Sequence, residues 1–473
     1  MTLVVLGASY SVACWAYDLS MTDARVTELN LVAFKSFREE SLPLDDLTLL
    51  IGRNSSGKSN ALDGLEVLAR LAEGEDLIDA LDGRRREMGA VRGGSEGCAP
   101  HGTNSFTLGC RVDYAGESLR YEVTIEVRPD IRIIAEKLYG YGVAAASGAR
   151  SYGPIFETRR AGAPGTGIEA EIHNGKRGSN PWSRFRDSRL LLTQVPLVVP
   201  GANRAERSVL RAVAAVRNAL RGVFHFDPIP HLMRDFVPGR DVELRRTGEN
   251  LSAALRNLQS TDPDAFRRIG ELVRLIADDG VQGISFVSSE LGDVMLALQE
   301  SRGAATERSE RTPAREMSDG LLRFIGIATA LLSPQNGLDI DSAMSSSIDD
   351  EEPRGAVLVV LEELENGLHP SQAHRVLELI RESSRSTGTS VLITSHSPAL
   401  LDAAEGHLNE NIIVCYRHPG SGYSKLERII DLPGYAISLA EGSLGAAVTS
   451  GKLSSGAHEE PDYAEFQRLL GLG

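Results

Sequence analysis

Apolar and polar residues alternate through Val26–Phe34 (VTELNLVAF), whereas residues 47–52 (LTLLIG) form an unbroken apolar run. Alternation predicts a strand with one face in a core, and a continuous run predicts a strand buried on both faces of a parallel sheet. A helix is predicted over residues 60–74 (NALDGLEVLARLAEG). Two antiparallel strands are predicted between Phe106 and Val127, turning at Gly116, and a third over Ile131–Tyr139. Further along, helices are predicted over Arg204–Gly222, Asp262–Asp278 and Leu321–Leu332, and strands over Ile284–Val287 and Val294–Leu298. After residue 356 the pattern becomes strand, helix, strand (VLVVL, then 371–384, then VLIT), the signature of a parallel sheet. A last strand is predicted over Leu426–Leu432.

The intervening stretches carry weaker patterns. Residues 75–100 are rich in Arg and Gly and predict a surface excursion. Residues 140–185, rich in Gly, Ala, Ser and Pro, predict a long loop or insertion. Residues 301–315 are polar, and 336–354 are acidic and Ser-rich, a composition that favours disorder. There is no sustained heptad, so no long coiled-coil arm is expected. Residues 1–20 are apolar and lack the positive charge that opens a secretory signal, so an N-terminal extension is expected, with Met21 as the natural start.

At 473 residues the chain exceeds one ordinary core. Its 42% hydrophobic and 24% charged residues exclude a mostly disordered or collagen-like chain. No apolar run is long enough to span a membrane. The net charge of -15 means that any contact with nucleic acid must use a local patch. Three patches qualify: Arg84–Arg86; Arg204, Arg207, Arg211, Arg217 and Arg221 on one helix; and Arg245 with Arg246. Each reads equally as a solvated face paired with acids. The four cysteines form no CxxC pair, which indicates neither a zinc site nor a disulfide framework and fits a reducing cytoplasm.

Candidate chemistry begins at Gly52-Arg53-Asn54-Ser55-Ser56-Gly57-Lys58-Ser59, followed by Asn60, which matches GxxxxGK[ST] between a strand and a helix. Glycines let backbone N–H groups curl around phosphate oxygens, and the helix N-terminus adds positive potential. Lys58 would reach the β- and γ-phosphates and the Ser59 hydroxyl would ligate Mg²⁺. The apolar strand ending in Glu362 and Glu363 is the Walker B arrangement, with Glu362 on the metal side and Glu363 placed to polarise an attacking water. A strand ends at Ser395-His396-Ser397-Pro398, where a γ-phosphate sensor would sit. Met317-Ser318-Asp319-Gly320 opens a helix, either as a plain N-cap or as an anion site facing another subunit's phosphate.

The order P-loop, SDG, EELENGLHP, SHSP resembles the ABC-type ATPase heads of the SMC, RecF and OLD group. The resemblance covers residues 25–65 and about 315–417 with specific motifs. It implies an α/β ABC-type head: a mixed sheet flanked by helices, an antiparallel β subdomain and a large helical or loop insertion. By the same likeness Lys35 lies near the nucleotide, Ser318 and Gly320 match the signature motif with Asp319 between them, His369 falls at the D-loop, and His396 is the switch histidine. Leu364 stands where proline is usual in OLD-like chains. Lys58 and Ser318 are roughly 260 residues apart, so the head is expected to be split.

The expected division is an extension (1–24), a first half of the head (25–135), an insertion (136–315), a second half (316–432) and a tail (433–473). Some forty residues follow the last predicted strand, short of the roughly 50 of a small domain, and no TOPRIM acid cluster is evident. The resemblance therefore implies a stand-alone ATPase, like the ATPase subunits of the Septu or PARIS anti-phage systems. It would use ATP and Mg²⁺, form a homodimer or higher even assembly in the cytoplasm, and control an effector such as an HNH or TOPRIM nuclease, with double-stranded DNA as a further candidate partner. A RecF-like repair ATPase and a scaffold with mainly structural ATP are the alternatives.

Overall fold

The computed structural model describes residues 23–83, 89–144, 147–159, 162, 165–176, 178–277, 280–301, 309–333, 337–340, 352–365, 373–404, 408–433, 435 and 445. The first half supplies β1 (Asp23–Phe34), β2 (Phe37–Pro43) and β3 (Leu47–Ile51), then α1 (Lys58–Ala72) and α2 (Leu77–Asp82). An antiparallel meander follows: β4 (Ser105–Tyr114), β5 (Glu117–Glu126), β6 (Arg132–Val143), β7 (Arg150–Thr158), β8 (Ile168–Ile172) and β9 (Trp182–Phe185). Next come α3 (Leu191–Val198), α4 (Arg204–Arg221), β10 (Val223–Phe226), β11 (Val237–Pro238), α5 (Leu251–Thr261) and α6 (Pro263–Ile276). Then β12 (Val281–Ser288), β13 (Asp293–Ser301), β14 (Ser309–Pro313) and α7 (Asp319–Leu332) lead to β15 (Arg354–Gly355) and β16 (Leu358–Leu361). The chain continues through α8 (Ala373–Thr387), β17 (Ser390–Ser395), α9 (Pro398–Ala404), β18 (Ile412–Arg417) and β19 (Ser424–Arg428).

One sheet runs β10-β16-β17-β3-β18-β19-β2-β1-β4-β5-β6-β7-β8-β9, with β15 beside β1. Neighbours from β10 to β18 are parallel, and those from β1 to β9 are antiparallel. A smaller sheet joins β11 and β14 to β13 and β13 to β12.

The parallel strands read as apolar runs because both of their faces are covered. Leu358, Val360, Leu392, Ile413 and Cys415 enter a core shared with α1, α4 and the meander. Their alternates Val357, Val359, Leu361, Val391, Ile393, Ile412 and Val414 enter a second core under α5 to α8. Fully burying one such side chain contributes about 1.5–3 kcal/mol, so the sheet is the rigid plate on which the rest is mounted.

Two expectations are corrected. Residues 140–185 are not one long loop, since β7, β8 and β9 lie among them and extend the meander. Residues 75–100 are not a surface excursion, since Leu77, Leu81, Val91 and Cys98 are buried in the first core. β6 to β9 and β10 belong to the large sheet, with β10 beside β16 in its parallel part, while β11 to β14 form the smaller sheet.

Glu136 explains how α3 is held. Its carboxylate accepts the N–H of Leu191 at 2.7 Å, the N–H of Leu192 at 2.9 Å and the Tyr121 hydroxyl at 3.0 Å, so it serves as the N-cap that the sequence of α3 lacks. Burial pushes its pKa up to about 7, against the pull of the two N–H groups. A raised folded-state pKa means that the unfolded chain releases the proton first. Stability should therefore fall by about 3 kcal/mol as pH rises from roughly 4.5 to 7 and stay level above that. Denaturant midpoints of Glu136→Gln across this range should lack that decline; an unchanged decline would assign it to another group.

Candidate nucleotide site

Strand register brings the motifs to one edge. Ser395 pairs with Ile51, and Leu361 pairs with Ile393 two residues earlier, so Glu363 falls level with Ser395 and Ile51. The ends of β16, β17 and β3 therefore present Glu362–Glu363, His396 and the P-loop side by side. This is where ligands sit in open α/β sheets.

The P-loop spans Gly52 to Gly57. Arg53, Asn54 and Ser55 are exposed, while Ser56, Gly57 and Lys58 are buried. Gly57 has φ 120 and a Cβ there would collide with Ser424 Oγ; one on Gly52 would collide with the Cys415 carbonyl oxygen. These two positions must be glycine because β18 and β19 press on the loop from outside. Ser424 Oγ lies 2.8 Å from Ser36 Oγ and donates to the Ser56 carbonyl at 2.5 Å, and Arg417 Nε donates to the Ser55 carbonyl at 3.2 Å. Asn60 Nδ2 donates to Ser36 Oγ at 2.8 Å, which ties the start of α1 to the same wall.

Lys58 Nζ donates to the carbonyls of Gly52 at 2.6 Å and Arg53 at 3.2 Å, curling over its own loop. Burial lowers its pKa, and nearby Cys415, Glu363 and Glu365 act in the opposite direction. The cradle thus holds a cation facing main-chain oxygens, an arrangement that suits an incoming phosphate. Ser59 follows Lys58 on the first turn of α1.

Glu363 has φ 47, a left-handed backbone that costs a non-glycine residue about 1–3 kcal/mol and is concentrated at functional sites. Thr394 holds it there: the Glu363 N–H donates to Thr394 Oγ1 at 3.1 Å. Glu365 holds His396, accepting its backbone N–H at 2.7 Å, with Nδ1 2.9 Å from the same oxygen. Glu362 pairs with Arg92 at 3.0 Å. Burial raises the Glu362 pKa, with Arg92 opposing and Asp227 and Asp63 adding to the rise.

Lys35 has Nζ 2.6 Å from Asp63 on α1 and 2.7 Å from the Arg92 carbonyl, in a buried ion pair. Ser318 is the N-cap of α7, accepting from Leu321 at 3.3 Å, and Arg234 clamps the turn through the Met317 carbonyl and Asp319. Ser318 and Asp319 are exposed, and Gly320 follows on α7. His369 lies outside the described residues, as do Arg84–Arg86. Gln194 spends its amide on Arg186, Arg189 and Leu190. Arg246 is drawn inside to Glu66, and Arg245 pairs with Asp241 and Glu249.

Sequence reasoning missed Asp63, Arg92 and Thr394. Asp63 was accessible, four residues after Ser59 on one helix face. Arg92 was not, because a glycine-rich loop carries no register.

The residues fit the nucleotide and metal that the motifs imply. Among the described residues no group of three His, Cys, Asp or Glu side chains is placed to hold a metal ion. No helix among the described residues is long and apolar enough to cross a membrane.

Among solved structures, the chain is similar to an SMC head bound to the C-winged helix domain of ScpA, at 14% identity, 85% of this chain, 97% of that chain and a TM-score of 0.44. It is similar to the SMC head domain from Thermotoga maritima at 14% identity, 85% and 98% coverage and a TM-score of 0.37. For the SMC head of Pyrococcus furiosus with an extended coiled coil, bound to the C-terminal domain of ScpA, the values are 12%, 85%, 96% and 0.40. No curated protein sequence matches. Residues 25–99 match a family described as "AAA ATPase domain", and residues 211–402 match one described as "AAA domain, putative AbiEii toxin, Type IV TA system". The two matches fall on the two halves that the parallel sheet joins, and both are to families of AAA-type domains.

Proposed function

We propose that the chain is an ATP-operated switch that pairs head to tail with a second copy and controls a partner effector, a nuclease, in bacterial anti-phage defence. The observation that carries the switch is the separation of its parts. The P-loop, Glu363 and His396 share one sheet edge, while Ser318 and Asp319 sit exposed at the start of α7, offered outward. In this reading Lys58 and the P-loop backbone bind the phosphates of ATP. Ser59 and Glu362 hold Mg²⁺, which supplies charge neutralisation at the phosphates. Glu363 orients and deprotonates the attacking water, and His396, steadied by Glu365, senses the γ-phosphate. The Ser318–Gly320 turn and His369 of one copy close the site of the other. The defence assignment rests on the likeness of the motifs to those of Septu and PARIS ATPase subunits, and the toxin–antitoxin wording of one matched family is compatible with it.

Glu363→Gln should bind ATP and accumulate as an ATP-bound dimer in light scattering. Its turnover should fall about 10²–10⁴-fold, the range for loss of a general base. A monomer at saturating ATP would overturn the switch.

A further inference from the structure

Arg92 sits on the loop between α2 and β4, flanked by Gly89, Gly93 and Gly94, whose φ values are 70, 85 and 59. Val91 anchors the loop in the core, and Lys35 holds its backbone through the Arg92 carbonyl. From there the guanidinium reaches two carboxylates: Nε lies 3.0 Å from Asp63 Oδ1, and one terminal nitrogen lies 3.0 Å from Glu362 Oε1. Ser59 and Asp63 are four residues apart and share a face of α1. Arg92 therefore ties α1 to the end of β16, the same two elements that a metal held by Ser59 and Glu362 would tie.

We propose that Arg92 is a resident cation on the metal side of the site, keeping Glu362 paired until a divalent cation arriving with nucleotide takes it over. The proposal rests on the assignment of Glu362 to the metal. With Asp63 facing Lys35 and Arg92, and Glu362 facing Arg92, the two carboxylates that a free divalent ion would meet beside Ser59 are already offset by resident cations. Nucleotide phosphates supply further negative charge, so metal entry becomes conditional on nucleotide. The glycines beside Arg92 let the side chain withdraw without dragging Val91 from the core. Arg92 is in this sense a positioning residue, acting through Glu362.

The test is Mn²⁺ binding to the nucleotide-free full chain, read by electron paramagnetic resonance, in wild type, Arg92→Met and Arg92→Lys. Arg92→Met should bind Mn²⁺ at least about tenfold more tightly than wild type, and adding Glu362→Gln should abolish the gain. Arg92→Lys, which keeps the charge but lacks the fork that spans two carboxylates, should fall between. Circular dichroism checks folding, and Arg92→Lys carries the comparison if Arg92→Met does not fold. Unchanged or weaker Mn²⁺ binding in the folded variants would overturn the proposal. In parallel, the Mg²⁺ concentration giving half-maximal binding of a fluorescent ATP analogue should drop about tenfold in Arg92→Met. A chain that binds no nucleotide at all would sink the ATP reading, whereas the nucleotide-free Mn²⁺ comparison would still decide the role of Arg92.

Discussion

Lys58→Ala should weaken ATP binding about a hundredfold and leave the melting temperature within a few degrees of wild type. The ammonium faces two carbonyls, those of Gly52 and Arg53, and the burial that lowers its pKa is a cost the folded protein carries. Removing it forfeits two hydrogen bonds worth about 1 kcal/mol each and relieves the desolvation of a charge, so the net effect on folding is small. Phosphate changes the balance. Charge-assisted bonds to phosphate oxygens are worth about 1.5–3 kcal/mol each, and losing two at the lower figure gives roughly 10² in affinity. Lys58→Arg should not rescue, because a planar fork cannot replace a point charge folded under the loop. A fluorescent-nucleotide titration beside a thermal melt checks both halves. Affinity within a few-fold of wild type would remove Lys58 from the phosphate site.

The parallel half of the fold was legible because burial on both faces leaves an unbroken apolar run. LTLLIG, VLVVL and VLIT announce β3, β16 and β17, and the site hangs on their ends. α4, α6 and α7 were legible from helical periodicity. The strands after residue 140 were not. β7 carries Gly153 and Pro154 mid-strand, and its first five residues are exposed or half-buried, so neither face there carries the apolar stripe that alternation needs. β10 has four residues, too few to set a period, yet it completes the parallel edge beside Walker B. The motif residues stand out in the sequence because their spacing is local. Asp63, Arg92 and Thr394 act across separations of about thirty residues or more, where only the folded sheet brings partners together.

Glu66→Ala should destabilise the protein by about 3–5 kcal/mol while changing ATP affinity far less than Lys58→Ala. Glu66 lies on α1, about two turns beyond Lys58. Its Oε1 receives Arg70 and Arg246 at 2.7 Å each, and its Oε2 lies 3.1 Å from His225 Nε2 on β10. Burial opposes ionisation here, but the surrounding cations hold the carboxyl down at about 2. Burial also lowers the His225 pKa, so near pH 7 the charges that matter are Arg246 and Arg70. Alanine would leave Arg246 without its carboxylate and Arg70 held only by the Ala80 and Gly89 carbonyls, the costly way to break a buried pair. Glutamine keeps the shape without the charge and should cost less. The pH dependence separates this from simple packing loss. A depressed folded-state pKa gives stability that is fully present above roughly 4.5 and lost as pH falls toward 2, and Glu66→Gln should lose less over that range than wild type. The same carboxylate ties the P-loop helix to β10, the neighbour of the Walker B strand, so it fixes where Lys58 and Ser59 stand relative to Glu362. Urea titrations at pH 7 and pH 3.5 would decide it: a shift under 1 kcal/mol for Glu66→Ala at pH 7 would mean that the two arginines find other partners and that the cluster does not hold α1 in place.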